Sequence, residues 1–134
     1  MALGQAAPVP LAKQILKDDS MVRDLADQGR WSVAEVARRL RTKRLDLNGD
    51  KVPEFLISGI GCGSANCPYW LYQQRGKQYI AIPGDFEGIF VRALTSKKNG
   101  WRNLEFAYHS SSNREPTTVY AFNGRKYVAK RIGD

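Results

Sequence analysis

Thr117-Thr118-Val119-Tyr120-Ala121-Phe122-Asn123-Gly124-Arg125-Lys126-Tyr127-Val128-Ala129-Lys130 is the stretch that decides the fold. Asn-Gly between apolar-alternating runs is the strongest short-range hairpin signal in the chain. Val119 and Ala121 alternate with Tyr120 and Phe122, as strands with distinct inner and outer faces do. Strands are therefore expected over residues 117–122 and 126–130.

The same pattern recurs upstream. Residues 88–94 and 101–108 flank a Lys97-Lys98-Asn99-Gly100 turn, and 69–74 and 78–82 flank Arg75-Gly76-Lys77. Residues 43–47 and 54–59 flank an acidic loop. That makes about eight short strands, and connections this tight imply a mostly antiparallel topology. Before them, Leu11, Ile15, Val22 and Leu25 recur at helical spacing over residues 10–28, with Gly29 placed as a stop. Asp18-Asp19-Ser20 offers a point of division into two helices. Ser32-Val33-Ala34-Glu35 is a capping-box pattern opening a short helix to about residue 41, with a strand as the alternative there. The expected fold is α+β: an N-terminal helical segment, then a mainly antiparallel β-sheet or β-sandwich. Residues 1–9 read as a flexible N-terminus and 10–134 as a single domain, helical over 10–41 and β-rich over 42–134. A chain of 134 residues is long enough for one core without obligatory staples.

The acidic loop is Asp46-Leu47-Asn48-Gly49-Asp50-Lys51-Val52-Pro53-Glu54. Asp46, Asn48 and Asp50 bring side-chain oxygens at every second residue, Val52 can offer a carbonyl, and Glu54 follows at the ninth position. Calcium takes roughly six to eight oxygen ligands of these kinds. An EF-hand would carry Glu at the twelfth position, where Ile57 stands, and helical flanks. Lys51 puts an ammonium beside the loop, at a position that commonly needs a left-handed backbone, so calcium would be held weakly. Weak sites still serve outside the cytoplasm, where modules work at about 0.1–1 mM calcium. The alternative is an Asn-Gly turn whose acids bond backbone amides.

Cys62 and Cys67, in GCGSANCPYW, can close a short disulfide loop if their Cα atoms lie within roughly 7 Å. Half of a metal site and a reactive thiol are the other readings, but His109 alone is left to serve either. A disulfide would imply an oxidising compartment. The small residues of Ala2-Leu3-Gly4-Gln5-Ala6-Ala7-Pro8 look like the end of a cleaved export signal.

The net charge is +8, with Arg38, Arg39, Arg41, Lys43 and Arg44 forming a dense block. Such a field favours an acidic protein, an anionic envelope surface or a nucleic acid; the plainer account is a solvated face. No apolar run approaches the ~20 residues of a transmembrane helix. Catalytic patterns are weak. His109 beside Ser110–Ser112 is no triad, Asp85 and Glu87 read as a polar turn, and GIGCG lacks a P-loop ending. Trp31, Trp70 and Trp101 read as packing residues.

The order of motifs, DLNGDKVPEFLISG, then CG-x-x-x-CPYWLY, then NGWRNL, resembles small exported bacterial proteins. The acidic loop is similar to the calcium loops of FG-GAP and VCBS repeats. The outline is similar to periplasmic lysozyme inhibitors and related immunity proteins. The resemblance implies a periplasmic or secreted non-enzymatic module that inserts a loop into the cleft of a cell-wall-degrading enzyme. The strong positive charge points to an acidic hydrolase as that partner. The candidate contact residues are Ser64 and Asn66, between the cysteines, and His109 and Arg114, in the second loop. The runner-up function is a calcium-stabilised structural or envelope-associated module, and nucleic-acid binding is third.

Overall fold

A computed structural model of the chain describes residues 4–63, 66–108 and 116–130. Three helices precede the longer strands: α1 (Val9–Asp18), α2 (Ser20–Gly29) and α3 (Val33–Arg39). Asp19 makes the expected division, its carboxylate accepting a bond from Val22 N–H at the start of α2. Arg30, and not Gly29, takes the left-handed position that closes α2, and its N–H reaches the Ala26 and Asp27 carbonyls. Ser32 caps α3 by accepting from Glu35 N–H. The strand alternative for this segment therefore does not hold, and the helix ends at Arg39.

Eight strands of four to nine residues follow, as expected, with two of two residues among them and a third two-residue strand ahead of α1. The middle sheet runs β1 (Gln5–Ala6), β2 (Arg41–Leu45), β3 (Glu54–Ser58), β5 (Trp70–Arg75), β6 (Gln78–Ala81), with every described pairing antiparallel. The outer sheet runs β11 (Tyr127–Lys130), β10 (Thr117–Phe122), β9 (Trp101–Ala107), β8 (Phe90–Lys98). The short strands β4 (Cys67–Pro68) and β7 (Glu87–Gly88) pair with each other. A side chain at Gly88 would strike the Ala107 carbonyl, so glycine lets β7 lie against β9. Gln5 and Ala6 pair with Arg41 and Thr42, which ties down a segment expected to be loose.

The layers are helices, middle sheet, outer sheet. Phe55, Ile57 and Tyr72 face the helices and pack with Leu11, Ile15, Val22, Val36 and Leu40. Leu56 and Leu71 face the other way, among Phe86, Leu104, Phe106, Tyr120 and Tyr127. All five residues of β3 are buried because both faces of that strand are covered.

Two tight turns differ in detail from expectation. Lys97 and Lys98 lie in β8, and the turn itself is Asn99-Gly100, both with positive φ. Between β10 and β11 the connection spans residues 123–126, because the Asn123 side chain accepts from both Arg125 and Lys126 N–H.

Candidate functional site

The acidic loop joins β2 to β3, and its oxygens are largely turned onto its own backbone. Asp46 accepts from Gly49 N–H at 2.9 Å and from Lys51 N–H at 3.0 Å. Asn48 accepts from Asp50 N–H, and Asp50 from Val52 N–H. Lys51 adopts φ 67°, the left-handed conformation its position was expected to need. Among the described residues, no group of three or more His, Cys, Asp or Glu side chains is gathered closely enough to hold a metal ion. The loop as it stands is the amide-bonded turn.

Glu54 departs from that pattern. Its side chain is fully buried at the start of β3. Oε1 accepts from Leu47 N–H at 2.8 Å, whereas Oε2 has no hydrogen-bond partner. Burial raises its pKa above the ordinary value, the Leu47 bond works against that rise, and the Asp50 and Asp46 charges add to it. Leaving a buried carboxylate oxygen unpaired is costly, and a cation is one way of satisfying it. Each ionised carboxylate offers about four lone-pair sites, so an Asp that holds amides can still ligate. The oxygen donors along the loop are Asp46, Asn48, Asp50, the Val52 carbonyl and Glu54, and the Asp46 and Asp50 charges lie near enough to Glu54 to add to its raised pKa.

The loop is also anchored to the outer sheet. Arg102 N–H donates to the Leu47 carbonyl at 2.7 Å, and Tyr127 O–H donates to the Arg102 carbonyl. Burial raises the Tyr127 pKa, and the Glu54 charge nearby adds to the rise.

Cys62 and Cys67 form a disulfide with Cα atoms 4.1 Å apart. Gly63 N–H donates to the Asn66 carbonyl inside that loop. Ser64, His109 and Arg114 lie outside the described residues, so of the four candidate contact residues only Asn66 is placed. It lines a hollow of about 650 Å³ with Gly61, Gly63, Met21 and Glu87. That hollow adjoins a cleft of about 470 Å³, which shares Met21, Pro68, Asp85 and Phe86 with it and continues past Trp70.

Asp18 and Asp19 also line the cleft. Tyr72 O–H donates to Asp18 at 2.7 Å, and Trp70 Nε1–H donates to Asp19 at 2.9 Å. Burial, and then the Asp18 hydrogen bond, push the Tyr72 pKa far up. Among the described residues the charged side chains along this groove are Asp18, Asp19, Asp85 and Glu87, with no Lys or Arg. A protein of net charge +8 thus carries an acidic groove beside its disulfide. Asp85 and Glu87 had read as an ordinary polar turn, and Asp18 and Asp19 only as a helix break.

The basic block is mostly engaged within the molecule. Arg38 and Arg39 pair with Glu35, Arg39 stacks over Trp31, Arg41 donates to the Arg38 and Leu40 carbonyls, and Arg44 lies over Phe55. No described helix is long and apolar enough to cross a membrane. No protein-family model, curated protein or solved structure matches the chain.

Proposed function

We propose that the chain is a non-enzymatic module that works outside the cytoplasm by binding another protein, as an inhibitor or immunity protein against a cell-wall-degrading enzyme. The observation that carries this reading is the acidic, aromatic groove lying against a disulfide-closed loop. A closed loop loses less entropy on docking than an open one. A groove with Trp70, Phe86 and Met21 in its walls offers apolar area, and its carboxylates select the partner. The disulfide supports an oxidising compartment, hence a periplasmic or secreted site of action. The charge argument shifts with the groove: overall charge favours an acidic hydrolase, but the residues that would contact the groove are basic.

The test is titration of the protein into wall-hydrolysing fractions of envelope and culture supernatant, with capture of the inhibited enzyme. Stoichiometric inhibition that is weakened in an Asp85→Lys/Glu87→Lys variant is expected. Recovery of peptidoglycan with no hydrolase, and no inhibited activity, would sink the proposal.

Glu54 favours a second reading, a calcium-stabilised structural or envelope-associated module. Its unpaired buried oxygen beside Asp46 and Asp50 supports a loop completed by calcium. Calorimetry at millimolar calcium should give heat and a raised melting temperature; neither appearing would remove the ion from the account.

A further inference from the structure

Three hairpin tips meet at one end of the molecule. The Lys97 ammonium, on β8, comes within 3.9 Å of where a side chain on Gly49 of the acidic loop would begin. Asn99, at the β8–β9 turn, donates to the Phe122 carbonyl at the end of β10. Arg102 N–H holds the Leu47 carbonyl. The tips carry Lys51, Lys97, Lys98, Arg125 and Lys126, all exposed.

Much of the arginine charge elsewhere is engaged within the molecule. Arg38, Arg39, Arg41, Arg44, Arg23 and Arg102 are committed to carboxylates, rings or carbonyls. The described ion pairs use none of these tip cations. The opposing charges at this end are Asp46 and Asp50, whose oxygens take backbone amides, and Glu54, which is buried. Val52, 48% exposed, stands next to Lys51 on the same loop.

We propose that this end docks on an anionic phospholipid bilayer. Projecting hairpin ends suit a plane better than a polymer that must lie in a groove. An apolar side chain flanked by lysines suits the boundary between headgroups and acyl chains. Trp101, the aromatic residue at this end that could stack a base, is turned onto Phe122 with ring centroids 5.0 Å apart. That arrangement favours a bilayer over a single-stranded nucleic acid. The inference goes beyond protein binding at the groove and uses none of the groove's residues.

The experiment is flotation of the full chain, in chelator and low salt, with two vesicle types: phosphatidylcholine alone, and phosphatidylcholine with about one-third phosphatidylglycerol. The protein should float with the anionic vesicles only and should be released by about 0.5 M salt. Lys97→Ala/Lys98→Ala should bind about 25-fold more weakly, at roughly fivefold for each lysine removed. Lys13→Ala/Arg38→Ala, which removes the same charge elsewhere, should bind within about twofold of wild type if position at the tips is what counts. No partition into anionic vesicles at low salt would overturn the proposal. Equal loss in both double variants would also overturn it, as would tighter binding to a duplex oligonucleotide than to the vesicles. Asp85→Lys/Glu87→Lys should still float, so failure of the groove and failure of the tips are separable.

Discussion

Glu54 and the Asp18–Asp19 pair are carboxylates set against the same middle sheet, and the molecule handles them in opposite ways. Asp18 takes Tyr72 O–H and Gln14 Nε2–H; Asp19 takes Trp70 Nε1–H and the Val22 N–H of α2. Their oxygens are satisfied by neutral donors, and they sit at the mouth of an open groove. Glu54 is fully enclosed and keeps one oxygen without a partner. A carboxylate answered by donors on two elements pins those elements together. A carboxylate left short beside Asp46 and Asp50 carries a desolvation cost that no described donor offsets.

Replacing Glu54 gives the largest test of that contrast. Glu54→Ala should cost about 3 kcal/mol in urea unfolding, because it opens a void and strands the Leu47 N–H. Glu54→Gln keeps an acceptor and removes the buried charge. It should be at least as stable as wild type without calcium, and its melting temperature should no longer respond to calcium. A full calcium response in Glu54→Gln would place the ion elsewhere. Cys62→Ser/Cys67→Ser should lower the unfolding free energy by about 2 kcal/mol, as expected for a loop this short. It should weaken partner capture by more than that loss of stability explains.

Tyr72→Phe removes a hydrogen bond to a carboxylate and should cost about 1.5 kcal/mol in the same assay, without changing the calcium response. The pH dependence follows from the raised pKa of Glu54 in the folded state. Without calcium, the folded protein binds the proton more tightly than the unfolded chain does. The stabilisation is therefore full below the ordinary value of 4.5 and is lost as pH rises through the raised value. Melting temperatures in chelator should fall across that window, and calcium, which needs the ionised carboxylate, should reverse the trend. A flat profile in both conditions would show that Glu54 is not the group responsible. Lys51→Gly is the smallest change: relief of the left-handed strain should add about 1 kcal/mol, and removing the ammonium should raise calcium affinity by calorimetry.

The hairpins were legible because alternation and Asn-Gly or Gly-centred turns are local signals. The helix break was legible because Asp18-Asp19-Ser20 interrupts the 3.6-residue rhythm. The two-residue strands Gln5–Ala6, Cys67–Pro68 and Glu87–Gly88 are too short to have a period, and their pairing is set by the strands beside them. The order of layers was hidden for a similar reason. Phe55-Leu56-Ile57 is apolar throughout, so nothing local says which residue faces the helices. The cysteine spacing pointed to the disulfide while leaving a metal site or a free thiol open, and the amide-bonded turn stood only as the alternative to a calcium loop, because spacing does not show which way Asp46 and Asp50 turn. The groove did not, since Asp18 and Asp85 lie far apart in the chain and meet only through the middle sheet. The basic block misled in another way: sequence counts charge but does not show that Arg39 lies on Trp31 or that Arg44 lies on Phe55.

Burial of β3 on both faces has a kinetic meaning. Its amides border both hydrophobic clusters, so they can meet solvent only when the helical layer and the outer sheet both release it. They should exchange with deuterium at the rate of global opening, while β6 and β11, each at the edge of its sheet, exchange through smaller fluctuations. Glu54 stands at the head of that slowest segment. Whatever holds or loosens Glu54 would therefore be felt in the whole molecule's excursions, as far away as the helices.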